Sequence, residues 1–93
     1  MATIDIEKPH HQPIKKVQER AEQMAHAMTE RFELECWWED DQLCFQRPGV
    51  EGRLTIDEHH VHFLAKLNIL LTPLKGMIEN EVHRYLDNID DMD

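Results

Sequence analysis

The sequence predicts an α+β fold, in the order β-α-β-β-β-β-α. An antiparallel sheet of about five strands carries two helices on one face, a reduced helix-grip-like layering. Three observations predict it. Residues 60–67 alternate strictly, with Val61, Phe63, Ala65 and Leu67 against His60, His62, Leu64 and Lys66, the period of a half-buried strand. From Leu74 the apolar spacing becomes helical, with Leu74, Ile78, Val82, Tyr85, Leu86 and Ile89 on one stripe. Two stretches between Glu33 and Lys66 each read as a hairpin whose apolar residues meet on one face.

Taken in order, residues 3–7 alternate and end at Lys8-Pro9, so Ile4 and Ile6 face inward on a first strand. Pro13 suits the first position of a helix, where its missing N–H costs nothing. Ile14, Val17, Ala21, Met24, Ala25, Met28 and Phe32 then recur at spacings of three and four, giving a helix from Ile14 to Phe32 with an apolar stripe. Residues 33–38 alternate again, Glu39-Asp40-Asp41-Gln42 interrupts, and residues 43–46 resume. With Asp40 and Asp41 at the turn, Trp38 faces Leu43, Cys36 faces Phe45 on the inner side, and Trp37 pairs with Cys44 on the outer side. The two cysteines then point to opposite faces, which disfavours a bond between them.

Arg47 to Gly52 holds three breakers and reads as a loop. Residues 53–57 form the next strand, and a tip at Glu58-His59 brings Ile56 opposite Val61 and Leu54 opposite Phe63. After the last strand, Thr72-Pro73 reads as a helix cap followed by a first-turn proline. The helix beginning at Leu74 is expected to be the longest in the chain. Gly76 inside it costs about 1 kcal/mol relative to alanine and is expected to mark a close backbone contact. The first strand is expected beside the last, because its helix must return to the same face. The whole chain, 1–93, reads as one domain, with an acidic tail at about 90–93 expected to fray.

With 93 residues, 41% apolar, the chain has enough for one small core. Nineteen acidic residues against ten basic ones give a formal charge of −9 and no basic stripe, which excludes the ordinary nucleic-acid binder. No apolar run approaches the roughly 18 residues of a membrane span, and no secretory signal is visible. Two cysteines without such a signal make a cytoplasmic protein with reduced thiols the expectation.

Seven histidines raise the question of a metal. His60 and His62 share a strand face, with His59 at the tip, and Cys44 or the His10-His11 pair are the further donors in reach. The spacing matches no zinc motif, so they read as solvated polar residues, with no metal and no cofactor expected. Cys36 is expected to be buried, where thiolate is disfavoured, and Cys44 to face outward with no evident base beside it. No nucleophile–base pair, phosphate-cradling glycine loop or paired-carboxylate site is present in the pattern, so no catalytic residue is assigned and an enzyme is not expected. Trp37, Cys44 and Leu64 fall together on the outer face of the sheet and form the candidate contact face, for a partner or for a second copy in a homodimer. A second possibility is a carrier or sensor of a hydrophobic small molecule such as a hydroxyacyl chain. It would occupy a cavity between the sheet and the C-terminal helix of roughly 300 Å³ or more, lined by Met24, Met28, Trp38, Phe45, Phe63 and Met77.

Four segments carry a family resemblance: IDIEKPH, ERFELECWWEDDQLCF, RPGVEGRLTID and KLNILLTPLKGMIENEVHRYLD. Together they resemble the polyhydroxyalkanoic acid system protein family, short bacterial proteins encoded among polyhydroxyalkanoate synthesis and granule genes. PGVEGRLTID and LLTPLKGMIE are the most specific parts. The chain departs from the family's pattern at Asp40 and Asn68, where the family favours glycine; both substitutes tolerate left-handed backbone. The resemblance implies a small non-enzymatic accessory protein of the storage-granule system. It would act by contact with the polyhydroxyalkanoate granule surface or with a granule-associated protein, and would be cytoplasmic and granule-associated. It supplies no catalytic residues.

Overall fold

The computed structural model describes residues 2–87. Its elements are β1 (Ala2–Pro9), α1 (Ile14–Phe32), β2 (Glu35–Glu39), β3 (Gln42–Arg47), β4 (Val50–Ile56), β5 (His60–Leu67), a 3-10 helix (Ile69–Leu74) and α2 (Lys75–Leu86). The architecture is α+β, a five-stranded antiparallel sheet in the order β1-β5-β4-β3-β2 with two helices packed on it. β1 lies beside β5, as its returning helix requires. Ile89 and the acidic tail lie outside the described residues.

Alternation decides which side chains enter the core. One inner row runs across all five strands as Trp38, Leu43, Leu54, Phe63 and Ile6, and the next as Cys36, Phe45, Gly52, Ala65 and Ile4. From α1 come Val17, Ala21, Met24, Ala25, Met28 and Phe32, and from α2 Ile78, Val82 and Leu86, all buried. Leu74 and Tyr85 pack partly buried against the same core. Ile14, at the first position of α1, is exposed. Phe45 and Phe63 meet edge to face, ring centroids 5.6 Å apart and planes at 62°, the arrangement that aromatic quadrupoles favour.

The two expected hairpin registers are present: Trp38 opposite Leu43, Cys36 opposite Phe45, Leu54 opposite Phe63 and Ile56 opposite Val61. Asp40 takes the left-handed turn position, with φ 53°. At the other tip, Asp57 Oδ1 accepts the backbone N–H groups of His59 at 2.8 Å and His60 at 2.6 Å. These bonds hold the Asp57 carboxyl below the usual carboxylate range.

Several boundaries differ from the sequence reading. β2 begins at Glu35, because Glu33 caps α1 in left-handed conformation, with φ 58° and its N–H on the Thr29 carbonyl. Pro13 stands one place before the helix, where its carbonyl accepts from Lys16 and Val17. The supposed loop 47–52 is only a Pro48-Gly49 turn, closed by the Arg47–Val50 pair, so β3 and β4 join in a third hairpin. Gly49 supplies the positive φ, 89°, that this turn needs. Gly52 lies within β4 against Ala65.

The corner after β5 also differs. Asn68 is extended, with φ −75°, and its side chain caps the 3-10 helix by accepting from the Leu71 N–H. Thr72 is therefore not the cap; its hydroxyl donates to the Asn68 carbonyl. Pro73 lies inside the 3-10 turn. This turn uses up the start of the expected long helix, so α2 has 12 residues and α1, with 19, is the longer. Gly76 makes no close contact, since a Cβ built there meets nothing within 4 Å. Gly76→Ala is accordingly expected to stabilise the protein by about 0.5–1 kcal/mol through lost unfolded-state entropy. A thermal melt checks this, and a lower midpoint would mean that the space is needed.

Candidate functional site

The outer face of the sheet is set by the same alternation that builds the core. One row crosses it as Trp37 on β2, Cys44 on β3, Arg53 on β4, Leu64 on β5 and Asp5 on β1. The three residues of the candidate contact face are thus in register on adjacent or nearby strands. They border a groove of about 340 Å³, whose rim carries Glu39, Gln46, Glu51, Arg53 and Lys66. Trp37 is 40% exposed, while Cys44 beside it is only 8% exposed. A large aromatic ring held over a polar-rimmed depression is an arrangement that favours a docked segment.

Cys44 does have an acidic neighbour. Its thiol donates to Glu39 Oε2 at 3.2 Å. Burial pushes the Cys44 thiol up, and the adjacent Glu39 carboxylate pushes it further, against a smaller opposing effect of Arg53. Cys36, expected deep in the core, is half-buried near the sheet edge, with Sγ 3.4 Å from Thr29 Oγ1 and donating toward the Ala25 carbonyl at 3.7 Å. Burial raises its thiol as well, helped by Glu22 and opposed by the Thr29 hydrogen bond. Both thiols are therefore held protonated at neutral pH, the opposite of nucleophile activation.

The residues named for an internal cavity do not form one site. Met24, Met28, Phe45 and Phe63 are buried in the core, where their own side chains take up the space. Trp38 is half-buried at the other side of the β2 edge, its indole N–H donated to Glu22. Met77 is 45% exposed on α2 and faces away from the interior.

The histidines are dispersed as well. His62 Nε2 lies 2.6 Å from Asp5 Oδ1, and His60 Nδ1 lies 3.8 Å from Asp57 Oδ1. His10 is buried, although it was expected among solvated histidines. Its Nε2 donates to the Asp57 carbonyl at 2.7 Å, and its Nδ1 accepts the Gln12 N–H at 3.2 Å. With the His10 N–H on the His59 carbonyl at 2.8 Å, the β1–α1 connector is stapled to the β4–β5 tip. Among the described residues, no group of three or more His, Cys, Asp or Glu side chains is placed to hold a metal ion.

One buried carboxylate was invisible in the sequence. Glu81 on α2, 2% exposed, accepts from Arg31 of α1, with Arg84 3.7 Å away. Arg20 Nε donates to the Tyr85 carbonyl at 2.9 Å, and its guanidinium lies 5.0 Å from the Tyr85 ring centroid. Both arginines join the two helices. They are structural clamps, satisfied by their partners.

A family model described as "Putative polyhydroxyalkanoic acid system protein (PHA_gran_rgn)" matches residues 4–89. No curated protein and no solved structure matches the chain.

Proposed function

Since this chain belongs to the polyhydroxyalkanoic acid system protein family, we propose that it is a small non-enzymatic accessory protein of the storage-granule system, acting by contact. The family suggests the granule context. Among the described residues no helix is long and apolar enough to cross a membrane.

The observation that carries this reading is the in-register row of Trp37, Cys44 and Leu64 beside the groove on the outer face. Its lining mixes Trp37, Phe45, Leu64 and Ala65 with both charges, Glu39 and Glu51 against Arg53 and Lys66. That combination suits a protein segment, with an aromatic anchor and hydrogen-bonding groups around it. The partner is a granule-associated protein. A second copy of this chain would use the same face, and sedimentation at increasing concentration distinguishes the two. The close packing of Met24, Met28, Phe45 and Phe63 supports contact over carriage of a small molecule in the interior.

Co-sedimentation with native granules that retain their proteins tests the reading. The wild-type chain is expected in the pellet. Trp37→Ser, at an exposed position, should keep the fold and weaken binding by about 2 kcal/mol, roughly thirtyfold. Wild-type protein wholly in the supernatant would defeat the proposal.

A further inference from the structure

The segment joining β5 to α2 is apolar on both sides. Leu71 and Leu74 pack against the core, and Ile78 is buried in it. On the opposite side Ile69 is 75%, Leu70 83% and Met77 45% exposed, and Pro73 and Gly76 are exposed between them. Three residues per turn in the 3-10 helix place Pro73 over Leu70, and the next four-residue step places Met77 over Pro73. A continuous convex stripe results. Helical surface that is apolar all round is normally covered all round, and here the core covers one side.

Two observations indicate what covers the other. The chain carries 19 acidic residues and a charge of −9, yet from Lys66 through Ile78 it has two lysines, Lys66 and Lys75, and no acid. Lys75 is half-buried within the span of the stripe, while Lys66 stands on the rim of the outer-face groove. Gly76 leaves backbone bare beside Met77, with open space above it, so a flat surface can approach α2 without meeting a side chain. A second copy is a poor occupant: two chains of −9 repel, and a handful of side chains is far below the roughly 20 residues per side of a stable dimer. A broad apolar surface that carries scattered negative groups fits both the stripe and its lysine.

A polyhydroxyalkanoate is such a material, with an alkyl body, ester carbonyls and carboxylate chain ends. Resting on the granule context of the function proposed above, we propose that Ile69 and the Leu70–Pro73–Met77 stripe insert into the polyester surface itself, with Lys75 on its anionic groups. This surface is separate from the groove row of Trp37, Cys44 and Leu64. One face meets the polymer and the other meets a protein.

Binding to protein-free particles of a polyhydroxyalkanoate polyester tests it. Vesicles of mixed zwitterionic and anionic phospholipid serve as the competing surface. The wild-type chain should bind the particles. The double variant Ile69→Ser/Leu70→Ser should melt within a few degrees of the wild type, because both side chains are solvated in the free protein, and should lose at least about tenfold in affinity. Trp37→Ser should bind the bare particles as the wild type does. Wild-type protein that ignores the particles overturns the proposal, as does a folded double variant that binds equally well, or binding to the vesicles alone. Loss of native-granule binding in Trp37→Ser, with the double variant unaffected there and on bare particles, overturns insertion and leaves the protein-contact reading standing.

Discussion

Phe63→Ala is expected to cost about 3–5 kcal/mol, enough to unfold a large fraction of the protein at room temperature. Phe63 lies in the centre of the sheet, paired to Leu54 on one side and Ile6 on the other, and its ring meets Phe45 edge to face. Truncation removes the transfer energy of a buried aromatic, forfeits that ring contact and leaves a void that flanking strands cannot close. A domain of this size has a total stability near the low end of about 5–15 kcal/mol. Urea unfolding followed by tryptophan fluorescence measures the loss. Phe63→Leu, which keeps most of the volume, should cost about half as much or less. A loss under about 1 kcal/mol for the alanine variant would show that the core around Phe63 is loose, and would reopen the case for an internal ligand.

The second large effect belongs to Gly52. A Cβ at this position would stand 2.9 Å from the Ala65 Cβ and 3.0 Å from the Leu64 carbonyl oxygen. The obstacle is partly backbone of the neighbouring strand, so no side-chain rotation relieves it. Gly52→Ala is expected to cost about 1–3 kcal/mol, and Gly52→Val more, by forcing β4 and β5 apart. For a domain of this length, each kcal/mol lowers the melting midpoint by roughly 4–8 °C. The contrast with Gly76→Ala is the useful control: one glycine is filled by its surroundings and the other stands in open space. Equal melting shifts of the same sign in the two variants would contradict this placement of β4.

Those two glycines also show what was and was not legible in the chain. The hairpins at Asp40-Asp41 and Glu58-His59 could be registered from alternation alone, because a slip of one residue would have turned Phe45 or Phe63 to water. The β3–β4 hairpin could not. Pro48, Gly49 and Gly52 read alike as breakers, although the first two make a two-residue turn and the third packs a strand centre. Thr72-Pro73 resembled a helix start because a proline after a hydroxyl residue usually is one. The side-chain cap of Asn68, three residues before Leu71, had no periodic signature. Nothing in the local pattern marked Glu81 or His10 as buried, because their partners, Arg31 and Asp57, are distant in sequence. The geometry of the Trp37, Cys44 and Leu64 row followed from register. The exposed stripe at Leu70 did not, since apolar residues in a short linker look like core until the chain is folded.

β2 stands at the margin of the sheet. Such a margin offers unsatisfied backbone groups to any passing strand and is where chains begin to stack into fibres. Here it is only five residues long, with Glu35 and Glu39 flanking Trp37 on one side. Two copies brought edge to edge would set these carboxylates against each other. Crowded copies of the chain therefore meet a built-in deterrent to polymerisation, next to the exposed Trp37 ring.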